Sequence, residues 1–407
     1  MANDIDLMFL AGLFPKCTEE EIRKNSIGSI DNAANVLQWN ILNGLDKSLK
    51  RPVRILNSLY IGSYPYRYRK LSIKTFKFNH TDGANDVNVG FFNLYGIKQI
   101  LRFWALKPYL KKWALNTNGN KAIIAYSLTS PFVKSIQYIK KINPAIKTIV
   151  VVTDLPQHMD TSNKTSLLRR MLKKYDIKSI NKRLAFVDGF VLLTEHMKNE
   201  LGTESYVVVE GIATDLPCLV NYNTSSEIKT VIYTGTLNEK YGILNLVEAF
   251  RNIKNPNYRL ILCGSGDSED KIKSAEISDN RIVYKGALTR EEVLELQQSA
   301  TVLINPRDNC GEYTKYSFPS KNIEYLSTGI PMIGYKLDGI PDEYDKHIFY
   351  VEGNTTDALK NKIVEVCEKS SEELLVKGQL AKVFVMDEKN NVVQAKKIID
   401  MIDKLSI

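Results

Sequence analysis

The chain has 407 residues, 44% of them apolar and 25% charged. That is a globular composition, which excludes a mostly disordered protein and leaves room for two or three domains. No apolar run approaches the ~20 residues that cross a bilayer, and the five cysteines and four histidines show no paired-cysteine or metal-ligand spacing, so no metal site is expected and a reducing cytosol fits.

The net charge of +9 is unevenly spread. Residues 1–220 hold 31 Lys/Arg against 18 Asp/Glu, and residues 221–407 hold 24 against 28. Within 51–150 there are 17 basic residues and two acids. A basic half joined to a slightly acidic half predicts two domains with different partners, the first drawn to an anionic surface or ligand. No recognised nucleic-acid-binding motif accompanies the charge, so no nucleic acid partner is expected.

In chain order, the apolar start DLMFLAG (6–12) follows acids rather than lysines and reads as a buried first strand, not a signal segment. Strands are predicted next at 53–61, 121–126, 147–153, 189–194 and 206–211. Two basic stretches stand out. IKQILRFWALKPYLKKWAL (97–115) mixes Arg102, Lys107, Lys111 and Lys112 with Phe103, Trp104, Tyr109 and Trp113. KTSLLRRMLKKYDIKSINKRL (164–184) repeats Leu168, Met171, Leu172 and Ile180 near helical spacing among Arg169, Arg170, Lys173 and Lys174. Each is either a helix lying on an anionic membrane or an ordinary helix with its apolar stripe in the core.

The polar segment 219–230 is the expected linker between a domain over 1–218 and another over 231–389. Beyond it, strands at 231–235, 258–264, 281–286, 301–306, 331–335 and 348–351 alternate with helices at 241–253, 267–275, 289–299, 320–328 and 356–368. A last helix near 390–407 keeps Val393, Ala395, Ile398, Ile399, Ile402 and Leu405 in phase, and can pack back on the first domain. Continuous apolar strands alternating with helices predict an α/β protein with two Rossmann-like, doubly wound domains facing a cleft.

Three strand-to-helix turns in the second half have the chemistry to hold phosphate. In YTGTLNEKYGI (233–243), Gly235 ends a strand, Gly242 opens a helix and Lys240 offers charge. LCGSGDSED (262–270) repeats the pattern at Gly264. In SFPSKNIEYLSTGIP (317–331), Ser320 is a plausible N-cap, with Lys321 and Glu324 in the first turns. A carboxylate beside a phosphate site suits hydroxyls, as acids serve nucleotide ribose, or it stabilises the helix dipole.

These segments resemble the nucleotide-sugar domain of GT-B glycosyltransferases of the retaining family 4. The resemblance is to the bacterial capsule and exopolysaccharide type, which carries an FPSK, EYL, G-x-P pattern. YTGTLNEKYGILNLVEAF resembles that family's phosphate loop. RIVYKGALTREEVLELQQSATVLINP resembles its nucleobase segment. SFPSKNIEYLSTGIPMIG resembles its donor loop and helix. The resemblance covers roughly 230–345. It implies that Glu324 holds the donor ribose, that Lys285, Gly286 and Ala287 read the base, and that Gly12 lies in the loop at the cleft floor. Three positions depart from the family. Tyr316 stands where its first Glu contacts the sugar, so the backbone around Phe318, Pro319 and Ser320, or else Glu312, would substitute. Thr236 stands where an Arg is usual and Tyr241 where a Lys falls, which leaves Lys240 and Lys321 to meet the diphosphate. VVTDLPQHM (151–159) falls where the family carries an active-site loop, so Asp154 and His158 are acceptor-side candidates.

The activity implied is transfer of a sugar from a nucleoside diphosphate sugar, UDP-linked by family frequency, with retention and without a metal. The implied acceptor is a hydroxyl of a lipid-linked or growing surface polysaccharide, at the inner face of the plasma membrane. The basic first half suits an anionic membrane reached through 97–115 and 164–184. The alternative is a catalytically weak partner subunit of an assembly complex.

Overall fold

In the computed structural model, which describes residues 5–28, 30–116, 119–157, 167–216 and 227–405, the apolar runs become parallel strands. The first is β1 (Ile5–Ala11), with Phe9, Leu10 and Ala11 fully buried. Consecutive buried residues mean that both faces are covered. Burying a Leu or Phe side chain contributes about 1.5–3 kcal/mol.

The chain continues through α1 (Glu19–Asn25), α2 (Asn32–Leu49), β2 (Arg54–Asn57), β3 (Ser72–Ile73), β4 (Phe76–Phe78), β5 (Asp86–Asn88) and β6 (Phe91–Phe92). Then come α3 (Lys98–Leu115), β7 (Asn120–Tyr126), α4 (Ser130–Ile142), β8 (Lys147–Val152), α5 (Leu167–Asn181), β9 (Gly189–Leu192), α6 (Met197–Leu201) and β10 (Tyr206–Val208). The strands join in the order β10-β9-β8-β7-β1-β2-β5-β4, with β4 antiparallel to β5, while β3 and β6 form a separate antiparallel ribbon. Asp31 caps α2 by accepting the Ala34 N–H at 3.0 Å, a bond that contributes about 1 kcal/mol.

The second series is β11 (Lys229–Thr234), α7 (Ile243–Arg251), β12 (Tyr258–Cys263), α8 (Glu269–Ser278), β13 (Ile282–Tyr284) and α9 (Arg290–Gln298). It continues with β14 (Val302–Asn305), α10 (Ser320–Thr328), β15 (Met332–Gly334), β16 (Phe349–Tyr350), α11 (Thr356–Cys367) and α12 (Ser371–Glu388). Its sheet is parallel throughout, in the order β13-β12-β11-β14-β15-β16. The last helix, α13 (Asn391–Lys404), returns to the first sheet. There Ala395, Ile398, Ile399 and Ile402 share a core with Ile41, Leu42 and Leu45 of α2.

Two compact units result, Met1–Ile212 with Asn391–Ile407, and Ala213–Asn390. The division therefore falls before residue 218, where the sequence placed it. The expected linker 219–230 also runs into β11, because Lys229 and Thr230 pair with Tyr258 and Arg259. Residues 217–226 lie outside the described residues.

A charged clamp closes one edge of the first unit. His80 Nδ1 lies 2.6 Å from Asp86 Oδ2, and its Nε2 lies 2.9 Å from Asp46 Oδ2 on α2. Asp86 also accepts the Ile55 N–H at 3.0 Å, and Asp46 accepts the Val53 N–H at 2.7 Å. Burial works against the imidazolium, but hydrogen bonds to Asp46 and Asp86 and their charges outweigh it, and the His80 pKa rises to about 9. The clamp ties α2, β2 and the β4–β5 hairpin together.

Candidate functional site

The second sheet runs outward from β11 to β13, then reverses to β14 on the other side. Open α/β sheets bind ligands outside the carboxyl ends of their strands at such a reversal. Two chain segments meet there: Gly235–Thr236 after β11, and Pro306–Arg307 after β14.

The turns after β11, β12 and β13 are stacked by hydrogen bonds. The Gly235 N–H donates to the Cys263 carbonyl at 2.8 Å, and the Gly264 N–H donates to the Gly286 carbonyl at 2.8 Å. Gly264 has φ +136°, and a Cβ there would stand 1.8 Å from the Gly235 carbonyl oxygen. A side chain at 264 would therefore need both an unfavourable backbone and space that is already filled. The expected phosphate-loop glycines thus come together as one backbone surface.

Side chains from α9 and α10 hold this surface. Tyr325 Oη accepts the Thr234 N–H at 2.8 Å and donates to the Thr234 carbonyl at 3.1 Å, so a buried phenol completes the end of β11. Burial holds that phenol's pKa well above its ordinary value. Gln297, fully buried on α9, donates through Nε2 to Thr234 Oγ1 at 2.7 Å and to Glu324 Oε1 at 2.6 Å. Lys321 Nζ also donates to Glu324 Oε1, at 3.0 Å. Burial alone would raise the Glu324 pKa. The Lys321 charge, the bonds from Gln297 and Lys321, and the Arg290 charge outweigh it, and the carboxyl is held below its ordinary range. A capping box at Thr289 and Glu292 starts α9 and so fixes where Gln297 projects.

Lys321 and Glu324 therefore act as a pair, one turn apart, and the Lys321 Cε lies 3.2 Å from where a Gly235 Cβ would be. The pair sits directly on the backbone of the turn after β11. Thr236 is exposed, and its carbonyl accepts the Tyr233 hydroxyl at 2.9 Å. Lys240 is exposed, with Nζ 5.2 Å from the Tyr241 ring centre. Lys285 and Ala287 are exposed around Gly286. The Lys285 N–H donates to the Leu262 carbonyl at 2.9 Å, so the sheet uses part of the segment expected to read the base.

The donor loop differs in detail from expectation. Pro319, not Ser320, precedes the helix, and no side chain caps it; Ser320 is the first helical residue. Proline at φ −69°, with extended ψ, sets the entry angle without a hydroxyl cap. Phe318 is buried and its ring packs 5.3 Å from Tyr344, so its side chain belongs to the core and only its backbone remains a candidate. Tyr316 is half-buried at the end of a short 3-10 turn, Glu312–Tyr316.

Sequence reasoning missed Arg307. It follows β14 directly, its guanidinium lies 5.6 Å from the Tyr241 ring and 5.2 Å from the Tyr313 ring, and Nη2 donates to Ser317 Oγ at 2.8 Å. Its charge also opposes the ionisation penalty of Tyr233, whose pKa burial raises. The available signal was a cation immediately after an apolar strand at a reversal point. Gln297 was missed as well, because a buried glutamine on a helix has no local signature.

In the first unit, the order reverses between β1 and β7. Gly12 follows β1, its N–H donates to Gln38 Oε1 at 2.7 Å, and a Cβ there would stand 2.1 Å from the Tyr60 ring. Tyr60 Oη lies 3.2 Å from Ser127 Oγ, just after β7. Asp154 is exposed after β8, and its charge is among those that raise the pKa of Tyr126, after burial, Asp31 and Tyr60. Gly12 and Asp154 thus sit at the carboxyl ends of β1 and β8, which flank β7 in the sheet. His158 lies outside the described residues. Among the described residues, no group of three His, Cys, Asp or Glu side chains gathers as a metal set.

Whole-chain comparison gives the same fold in several solved enzymes. Sucrose-phosphate synthase from Thermosynechococcus elongatus is 14% identical, with 98% of each chain covered and a TM-score of 0.67. The lipopolysaccharide outer core galactosyltransferase WaaB, in its apo form, is 12% identical, covering 98% of this chain and 99% of its own, with a TM-score of 0.63. Anabaena HepE in complex with UDP is 12% identical over 98% and 99%, with a TM-score of 0.60. At these identities the likeness is one of fold, here the GT-B fold. No curated protein matches the chain by sequence. Residues 220–378, which include Gly235, Gly264, Gln297, Lys321 and Glu324, match the family model described as glycosyl transferases group 1.

Proposed function

We propose that this chain transfers a sugar, with retention, from a nucleoside diphosphate sugar to a hydroxyl of a lipid-linked or growing surface polysaccharide. The observation that carries this reading is the Gln297–Glu324–Lys321 array seated on the Gly235–Gly264 backbone. It offers an ionised carboxylate for ribose hydroxyls, with a cation and backbone N–H groups for phosphate alongside. UDP is the favoured nucleotide, in keeping with the resemblance and with the UDP bound in HepE.

Transfer builds positive charge on the sugar and negative charge on the departing diphosphate. Lys321 and Arg307 flank the loop where that diphosphate would lie, with Lys240 at its rim. Preorganised donors of this kind contribute roughly 10²–10³ each in rate. Arg307 supplies the guanidinium that Thr236 lacks at the end of β11. The leaving phosphate takes the acceptor proton on the same face, as the family resemblance implies. Gly12, Asp154 and His158 are the acceptor-side groups of this proposal. Tyr316 replaces a sugar-contacting carboxylate, so the sugar is held by the Pro319–Ser320 backbone.

Tyr316 and Thr236 also favour a second reading, a partner subunit with little turnover of its own. Incubating the protein with a panel of nucleotide sugars and measuring nucleoside diphosphate release separates the two. Release with one sugar, abolished by Lys321→Ala, supports the transferase. Nucleotide binding with no release, with or without saccharide lipid, supports the subunit. The anomeric proton coupling of the product reports retention or inversion.

A further inference from the structure

Helix α3 buries Leu106, Leu110, Trp113 and Ala114 as a core helix does, but its first half departs from that pattern. Its buried face contains Arg102, whose Nη2 and Nε bond the Ser58 carbonyl and Oγ at 2.5 and 3.1 Å. The same guanidinium stacks within 5.6 Å of Tyr60, Phe91 and Phe132. Its outer face carries Ile100 and Trp104, and Trp104 is 58% exposed. A folding chain gains by turning such residues inward. In this half of the helix the Arg102 cation is inside and the Trp104 indole is outside.

The outward apolar groups do not stop at the helix. The Leu94 carbonyl accepts the Lys98 N–H at 2.9 Å, which joins the start of α3 to the segment after β6. Tyr64 pairs with the same segment, since its N–H donates to the Asn93 carbonyl at 2.9 Å. On this ribbon Phe92, Leu94 and Tyr95 are exposed, and Tyr66 is 68% exposed. The Tyr66 and Tyr95 rings meet edge to face, 5.4 Å apart, without being covered. Six large apolar side chains therefore form one outward ridge.

Its charge is one-sided. Lys107 Nζ lies 4.7 Å from the Trp104 ring, and Lys111 follows one turn on. Arg67 sits beside Tyr66 in the chain. The only acids in 51–150 are Asp82 and Asp86, and Asp86 is buried in the His80 clamp. Glu21 of α1 is paired with Lys70. Aromatic rings with a polar edge and lysines with long stems suit the boundary between acyl chains and head groups, and a rim this poor in acid suits anionic lipid.

We propose that the ridge formed by the β3–β6 ribbon and the outer face of α3 is a docking face for an anionic lipid bilayer. It rests on the lipid-linked acceptor proposed above only for its purpose; the surface chemistry stands by itself. The face extends the expected 97–115 stretch to Tyr66 and Phe92. It does not include α5, where Met171 and Tyr175 are exposed on a separate helix.

The test is flotation of the purified chain with phosphatidylcholine vesicles, with and without phosphatidylglycerol, in the absence of any nucleotide. Wild type is expected to float with anionic vesicles and to release as salt rises. The triple variant Phe92→Ser, Tyr95→Ser, Trp104→Ser should partition at least about tenfold less, since apolar insertion is lost while charge is kept. A second variant, Lys107→Gln with Lys111→Gln, should lose the salt-sensitive part. Unchanged melting temperatures and unchanged UDP affinity show that both variants are folded, and a failed donor site leaves the flotation result intact. Equal flotation by wild type and the triple variant overturns the proposal. So does a wild type that ignores vesicles but forms dimers that the triple variant abolishes, which would assign the ridge to a second copy of this chain.

Discussion

Glu324→Gln removes the charge from the carboxylate at the centre of the proposed donor site and keeps its shape. In the folded protein it loses the pair with Lys321, made at 3.0 Å by side chains 31% and 28% exposed. Pairs of that exposure contribute under about 1 kcal/mol, and an amide oxygen can still accept from Gln297. Global stability should therefore fall by less than about 1 kcal/mol. Donor binding should suffer more. Oε1 already accepts from both Gln297 and Lys321, which leaves Oε2 to meet ribose hydroxyls. A hydrogen bond to a charged acceptor contributes about 1.5–3 kcal/mol, against about 1 for a neutral one. The expected loss is about 0.5–2 kcal/mol, or roughly 2- to 30-fold in Kd. Calorimetry with UDP and with its 2′,3′-dideoxy analogue measures it. Wild type should prefer UDP, and the variant should bind the two almost equally, because the hydroxyls and the charge form one coupled pair. A UDP Kd unchanged in the variant, or a loss that is equal for both ligands, would refute the ribose assignment.

Other consequences follow from the same geometry. Arg307→Gln should weaken UDP roughly 10-fold or more and leave uridine binding unchanged, since charge-assisted bonds to phosphate contribute about 1.5–3 kcal/mol; equal loss for uridine would mean a structural role. Gly264→Ala should unfold the donor half more readily and abolish nucleotide binding, because its Cβ meets the Gly235 carbonyl at 1.8 Å; a variant with normal melting temperature and UDP affinity contradicts this. His80 has a pKa raised to about 9 from 6.5. A raised basic pKa means that the folded state holds the proton more tightly, so its contribution of about 3 kcal/mol is full below pH 6.5 and disappears as pH rises through about 9. Urea unfolding of wild type and His80→Asn at pH 6 and 9.5 should show wild type losing that much more; parallel losses would remove the clamp.

The second unit was legible because its signals are local. Continuous apolar runs such as YRLILC and TVLIN gave strands within a residue or two of β12 and β14. Turn glycines and Pro319 likewise marked where helices begin. The segment between 62 and 97 was less legible. Its strands are two or three residues long and partly antiparallel, too short for a period to show. Helices α2 and α12 were missed for a different reason. The first opens with polar residues, and the second leaves Val376, Leu380 and Val383 exposed, so neither has a clean apolar stripe. At the site, Lys321 and Glu324 were readable because they share one turn. Arg307 and Gln297 reach the site across the sheet, and Asp46 reaches His80 from a distant helix. Pairings of that kind are made by topology, which no local window contains.

The central claim is that a nucleoside diphosphate binds where the second sheet reverses between β11 and β14. A thermal-shift screen of the purified chain against UDP, GDP, ADP, TDP and CMP tests it directly. A ligand at ~100 times its Kd adds about 2.7 kcal/mol, a rise of a few degrees. The account predicts such a rise with one diphosphate, UDP first, and its loss in Glu324→Gln and Arg307→Gln. No rise with any nucleotide, or an equal rise in wild type and both variants, would contradict it.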